Sequence, residues 1–246
     1  MSKLSMAIAA LAMVVCGATC PVTAAEKINV LLITGDDVGV HKWQEVAPAT
    51  KELLSAAGKF TVTVSEQIGV LDDAEGLKKY DLIYFALYNT KTPPPSAAGQ
   101  QNLLAFVKGG KGFAVAHLAS ASYKDWPEFR QLCGRYWVMG QSGHGPRAPF
   151  KVRISDKDHP ITKGLADFEM DDELYAKLQG DGPIHVLAES DSAWSKKTEP
   201  MVFTAAYGQG RVFHHTFGHD TKALDNPACR KLIQRGCEWA ATGAVK

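Results

Sequence analysis

Through the first half of the chain, short unbroken apolar runs alternate with segments of helical spacing. Residues 28–34, with Ile28, Val30, Leu31, Leu32 and Ile33, form the first such run and end at Gly35-Asp36. Residues 60–64, 82–87 and 112–116 form three more. Hydrophobicity that is continuous rather than alternating marks a strand buried on both faces, as in a parallel sheet. Between these runs, residues 46–57 carry helical spacing and stop at Gly58, and residues 100–107 do the same and end at Gly109-Gly110. Strand alternating with helix predicts an α/β fold, a doubly wound, mostly parallel sheet with helices on both faces.

After His144 the pattern changes. Residues 150–154, 184–188, 201–207 and 211–217 read as strands with little helix between them, and Gly208-Gln209-Gly210 reads as a hairpin turn. These predict antiparallel strands added at one side of the sheet. Residues 226–241 close the chain as an amphipathic helix with Leu232, Ile233, Cys237, Trp239 and Ala240 inward. Pro93-Pro94-Pro95 is a stiff loop rather than a linker, and no internal repeat is visible, so residues 26–246 are expected to form one domain.

The N-terminus does not fit this pattern. A single Lys3 precedes an alanine-rich apolar run from Met6 to Cys16, followed by Pro21-Val22-Thr23-Ala24-Ala25. Charge, apolar stretch and small-residue site together read as a secretory signal peptide over residues 1–25, which implies a periplasmic or secreted protein. The run is too short to span a bilayer, and no membrane anchor is expected. The formal net charge of +1 and the absence of any basic run argue against nucleic acid as a partner. Beyond the leader the cysteines are Cys133, Cys229 and Cys237, an odd set at irregular spacing that is neither a disulfide framework nor a zinc ribbon. Buried thiols are expected.

Candidate chemistry gathers at predicted strand ends. In open α/β sheets ligands bind beyond the carboxyl ends of the strands. Asp36 and His41 follow the first strand, Asn89 the third, His117 the fourth and His219 the last. His117, in Val115-Ala116-His117-Leu118, occupies the strand-to-helix turn that presents the nucleophile in hydrolases and amidotransferases, so no Ser or Cys stands at that position. His144 lies on the Gly-rich loop 140–145, and Asp171-Asp172-Glu173 offers carboxylates, with a helix N-terminus as the structural alternative for the triplet. Imidazole titrates near neutral pH and binds metals. His117, His219 and Glu173 are therefore the catalytic candidates, and His117, His144 and His219 the candidate ligands of one divalent metal, zinc or similar. Asp36, His41, Trp43, Asn89, Trp126 and Tyr175 are assigned to substrate binding. Trp43, Trp126, Tyr88 and Tyr136 are aromatic faces on which a sugar ring could stack. His159, His185 and His214 are read as structural. Residues 35–39 lack the G-x-G-x-x-G spacing, so no nucleotide cofactor is expected.

Thr34-Gly35, His41-Lys42-Trp43, Gly112 through His117, Trp126-Pro127-Glu128-Phe129, His144, Asp158-His159-Pro160-Ile161, Asp172-Glu173-Leu174-Tyr175 and Gly208 through Asp220, in this order, resemble the ThuA-like (trehalose-utilisation) family. The resemblance runs from about residue 27 to 241. It implies the class I glutamine amidotransferase-like fold and a link to disaccharide or 3-keto-glycoside metabolism. His117 stands where a glutamine amidotransferase would carry its cysteine, so glutaminase chemistry is not expected. The loop near Gly140 is shorter and less acidic than in many members. Two functions remain open: an exported enzyme acting on a small carbohydrate by metal-assisted or histidine acid/base hydrolysis or elimination, and a non-catalytic carbohydrate-binding module. Assembly into a homo-oligomer is left open.

Overall fold

A computed structural model describes residues 26–36 and 38–246. The export signal read at residues 1–25 lies outside the described residues. Nine strands form one sheet in the order β2-β1-β3-β4-β9-β8-β7-β5-β6. The parallel half contains β1 (Ile28–Ile33), β2 (Phe60–Ser65), β3 (Leu82–Phe85), β4 (Gly112–Ala116) and β9 (Gly210–His215). From β9 outward the pairing is antiparallel, through β8 (Lys197–Tyr207), β7 (His185–Ser192), β5 (Ala148–Ile154) and β6 (Phe168–Asp172). This is the expected mostly parallel α/β sheet, with antiparallel strands on one side.

Side chains alternate across the central strands, so each strand feeds two cores. Val30 and Leu32 of β1 point to one face, with Leu53 and Leu54 of helix α1 (Trp43–Ser55) and Leu232, Ile233 and Cys237 of the C-terminal helix. Leu31 and Ile33 point to the other face, with Phe113, Val115, Leu103 and Phe129. All these residues are fully shut from solvent, which explains why the strands read as continuous apolar runs.

The edges of several elements move from their expected positions. α1 begins at Trp43, one turn earlier than its apolar spacing suggested. After the four-residue helix α2 (Ala74–Leu77), helix α3 (Ala97–Lys108) starts under Ser96, whose hydroxyl accepts from the backbone N–H of Gly99 at 3.0 Å. α4 (Pro127–Cys133) and the single turn α5 (Thr221–Leu224) precede the closing helix α6 (Pro227–Thr242). Asn226 caps α6 by accepting from the N–H groups of Ala228 and Cys229. The acidic triplet 171–173 is not a helix N-terminus: Asp171 and Asp172 end the edge strand β6 and Glu173 follows it. Cys133, Cys229 and Cys237 are free and buried, as expected.

Candidate functional site

Four elements end at one place. His41 lies in the loop after β1, His117 begins the 3-10 turn His117–Ala121 directly after β4, Glu173 follows β6, and His219 lies four residues beyond His215, the end of β9. His117 takes a left-handed backbone, φ 48°, which is strained for a residue with a Cβ. The turn forces its side chain out over the sheet edge, where it is 5% exposed.

One ligand atom from each of His41, His117, Glu173 and His219 lies within 4.8 Å of all the others. His41 Nε2 and His117 Nε2 face each other at 3.1 Å. Glu173 Oε2 is 3.6 Å from His41 Nε2 and 3.5 Å from His117 Nε2, while its Oε1 is 3.2 Å from His219 Nδ1. Four ligands tetrahedrally placed about 2.0–2.1 Å from a zinc ion are roughly 3.3–3.4 Å apart, so these separations are close to a coordination shell.

The surrounding bonds fix the orientation of the group. His117 Nδ1–H donates to the Thr216 carbonyl at 2.7 Å, which leaves the lone pair on Nε2. That lone pair accepts from the Tyr175 hydroxyl at 2.8 Å and is also the atom that His41 approaches. Asp172, fully buried, collects the backbone N–H groups of Gly218 at 2.8 Å, His219 at 3.3 Å and Glu173 at 2.8 Å. It thereby ties β6 to the loop carrying His219. Partners of this kind orient metal-binding residues. Glu173 Oε2 and His219 Nδ1 are buried and have no hydrogen-bond partner, as is His41 Nδ1.

The electrostatics centre on Glu173. Burial pushes its carboxyl up, but the imidazoles of His117, His219 and His41 gathered around it outweigh this and hold it well below the ordinary carboxylate range. Glu173 in turn raises His219 above the ordinary imidazole value. His41 is lowered, chiefly by burial, with His117 and His219 adding repulsion. Three imidazoles and one carboxylate, with lone pairs pointing inward, form a group that could hold a divalent metal ion.

His144 is adjacent to this set but outside it. Its Nδ1–H donates to the Gly145 carbonyl at 2.6 Å and its Nε2 stands 3.6 Å from Glu173 Oε1. Its ring stacks on Tyr175 at 5.8 Å between centroids. Tyr175, assigned to substrate binding, is buried; it stacks on His117 at 4.3 Å and donates to it. Trp43 and His41 line a small hollow of about 50 Å³ over His117 and His219. Next to it is a cleft of about 970 Å³, and Tyr88 lines both.

Three residues assigned to substrate binding also make structural contacts, and two of them, Asn89 and Trp126, line the cleft. The Asp36 carboxylate accepts from the backbone N–H groups of Thr90, Lys91 and Thr92 at 2.6–2.8 Å and from the Thr90 hydroxyl at 2.6 Å. It is held far below its ordinary pKa because these bonds outweigh the opposing effect of burial. Asn89 is used in the same way, accepting from Tyr123 N–H at 2.8 Å and donating to the Thr92 carbonyl. Trp126 is 6% exposed, packs on Phe129 and Tyr123, and presents its remaining edge to the cleft. Asp220, next to His219 in sequence, caps α5 and pairs with Arg147. His185 pairs with Asp156 and meets the His159 ring edge to face, away from this cluster. Nothing in the sequence pattern pairs His41 with His117 or singles out Trp137, which packs on Tyr175 at 4.5 Å.

Solved structures with this architecture include a protein described as ThuA-like from Parabacteroides merdae ATCC 43184, 29% identical, with a TM-score of 0.76 over 90% of this chain and 92% of that one. Another described as ThuA-like, from Bacteroides uniformis ATCC 8492, is 19% identical, with a TM-score of 0.70 over 90% and 96%. A protein from Thermoplasma acidophilum described as part of a GMP synthase, 12% identical, has a TM-score of 0.52 over 89% and 97%. At that identity it shows a shared fold and nothing more. No curated protein matches the chain. The family model for ThuA, trehalose utilisation, matches residues 29–240, and the chain belongs to that family.

Proposed function

We propose that this protein binds one divalent metal of the zinc type through His41, His117, Glu173 and His219, and acts on a small carbohydrate, a disaccharide or 3-keto-glycoside, by hydrolysis or elimination. One observation carries the reading: four ligand atoms from four separate elements converge within 4.8 Å, with Glu173 Oε2 and His219 Nδ1 buried and unpartnered. Buried polar atoms are nearly always satisfied, so an unpaired set facing a common point calls for a ligand there. A bound divalent cation supplies a Lewis acid for a carbonyl and lowers the pKa of a water molecule.

The chain's own groups supply the rest. His117 holds its Nε2 lone pair inward because Nδ1–H is committed to Thr216. His219 turns Nδ1 toward the same point, 3.2 Å from Glu173 Oε1, and as a ligand gives up the proton there. His144 stands at the rim with its side chain about one third exposed and can exchange protons with solvent. Glutamine hydrolysis is not part of this reading, because the elbow carries His117 and all three described cysteines are buried in the core. The carbohydrate assignment follows family membership. Export to the periplasm follows from residues 1–25.

The test combines metal analysis of the purified protein, before and after chelation, with incubation of both forms with 3-keto-trehalose and trehalose. Stoichiometric metal together with product formed only by the metal-loaded form is the expected result. Sugar binding without turnover in either form would favour the binding-module alternative. Absence of metal binding would withdraw the metal centre.

A further inference from the structure

The hollow over the histidines and the cleft beside it differ greatly in size. The hollow holds about 50 Å³, room for a few water molecules. It admits a reacting group but not a sugar ring. The cleft holds about 970 Å³, at the upper end of the roughly 300–1,000 Å³ usual for small-molecule sites. Tyr88 stands in the wall of both.

We infer that the cleft seats the body of the substrate: a neutral saccharide of at least two rings lies against Tyr88 and Trp137 and extends a single carbonyl or hydroxyl group past Tyr88 into the hollow. The inference rests on the carbohydrate reading above and adds the size, charge and place of the ligand.

Three features support it. Tyr88 and Trp137 are half-buried in the cleft wall, so each keeps an open aromatic surface of the kind on which the apolar face of a sugar stacks. Trp137 also packs on Tyr175, the donor to His117, which joins the cleft wall to the histidine cluster. Tyr123, also in the wall, is 4% exposed, and its hydroxyl is buried with no hydrogen-bond partner. Leaving such a group unpaired is costly, and a hydroxyl-rich ligand is the kind that would pair it. The charged residues of the wall balance: Lys124 and Arg130 against Asp125 and Glu128. An anionic sugar would call for a surplus of basic groups.

The experiment uses chelator-treated protein, so its outcome is independent of the metal. Trehalose, maltose, cellobiose, glucose and glucose 6-phosphate are titrated by calorimetry and by tryptophan fluorescence. At least one neutral disaccharide should bind about tenfold or more tightly than glucose, and glucose 6-phosphate should bind no better than glucose. Trp137→Ala and Tyr88→Ala should each weaken the disaccharide about tenfold, as expected for loss of one stacked aromatic face. Should Trp137→Ala fail to fold by circular dichroism, Tyr88→Ala decides. Equal affinity for glucose and the disaccharides, preference for the phosphorylated sugar, unchanged affinity in the folded variants, or no disaccharide binding would each overturn the inference. Failure of the metal reading would appear separately, as absence of zinc binding by a protein that still binds the sugar.

Discussion

Glu173→Gln is the sharpest test of the metal centre. The substitution keeps the shape of the side chain but removes the only negative charge among the four ligand residues and leaves a neutral amide oxygen in place of the carboxylate ligand. Zinc that binds only the folded protein stabilises it by about 2.7 kcal/mol when present at a hundred times its dissociation constant. For a domain of this size each kcal/mol moves Tm by roughly 2–4 °C, so the unsubstituted protein should gain roughly 5–11 °C. Losing a partner outside the coordination shell already weakens a metal site by about 10–100-fold, so replacing the one anionic ligand by a neutral amide should cost about a hundredfold. At the same zinc concentration the variant then gains about 0.4 kcal/mol, or roughly 1–2 °C. The assay is a thermal melt with and without zinc at pH 7.5 and 5.5. The ligands must be deprotonated to bind. Since Glu173 holds His219 protonated to a higher pH than usual, the zinc-induced gain should be smaller at the lower pH. A variant with the full zinc-induced gain, or an unsubstituted protein with none, would refute the reasoning.

Three further outcomes are expected. Tyr175→Phe removes the hydroxyl that competes for the His117 Nε2 lone pair; zinc should bind roughly 2–12-fold more tightly, the equivalent of one net hydrogen bond of about 0.5–1.5 kcal/mol, and weaker binding in a chelator competition would show that the hydroxyl supports the site instead. Asp36→Asn weakens the clamp on residues 90–92, so hydrogen exchange there should accelerate. Because the folded-state pKa of Asp36 is depressed, its contribution is present above the unfolded carboxylate value, near 3.9, and is lost as pH falls through the folded value; the variant's acid-unfolding curve should therefore be flatter below about pH 4. Gly236→Ala places a Cβ 2.2 Å from the Phe213 ring, between α6 and β9; overpacking of this kind costs about 1–3 kcal/mol, and an unchanged denaturation midpoint would contradict the packing described.

The parallel half of the fold was legible because its strands are buried on both faces, which leaves an unmistakable run in sequences such as Val30-Leu31-Leu32-Ile33. The β7–β8 hairpin was less so. Its outer part pairs Glu189 through Ser192 with Lys197 through Pro200, polar segments with no apolar pattern to read. At the site, the strand-end rule drew attention to His117 and His219, but it cannot distinguish a side chain aimed at a ligand from one spent on a loop. Asp36 and Asn89 sit at strand ends too, yet short polar side chains readily bond nearby backbone, and these two secure residues 90–92 and 123. The role of Asp172 was hidden for a related reason. Its partners, Gly218 and His219, are more than forty residues away, and only the pairing of β6 at the sheet edge brings them close. Trp126 shows that an aromatic residue near a predicted cleft reads equally well as platform or core until its neighbours are known.

The elbow after β4 explains how this frame accommodates a chemistry other than nucleophilic attack. A non-glycine residue held at positive φ costs about 1–3 kcal/mol, and such strain persists where it serves to display a side chain. In this chain the displayed group is the His117 imidazole. Its Nδ1–H is taken by the Thr216 carbonyl, so no second group on that side draws a proton away, as the base beside a nucleophile would. Its Nε2 lone pair, which the Tyr175 hydroxyl also approaches, faces His41 and Glu173, side chains brought from the far ends of β1 and β6. A nucleophile needs a base beside it and open space before it; His117 has a hydroxyl donor, a carboxylate and another imidazole crowded around one atom. That crowding is unfavourable for an attacking atom and suits a ligand, because one cation at the centre would satisfy all of the inward-facing lone pairs at once.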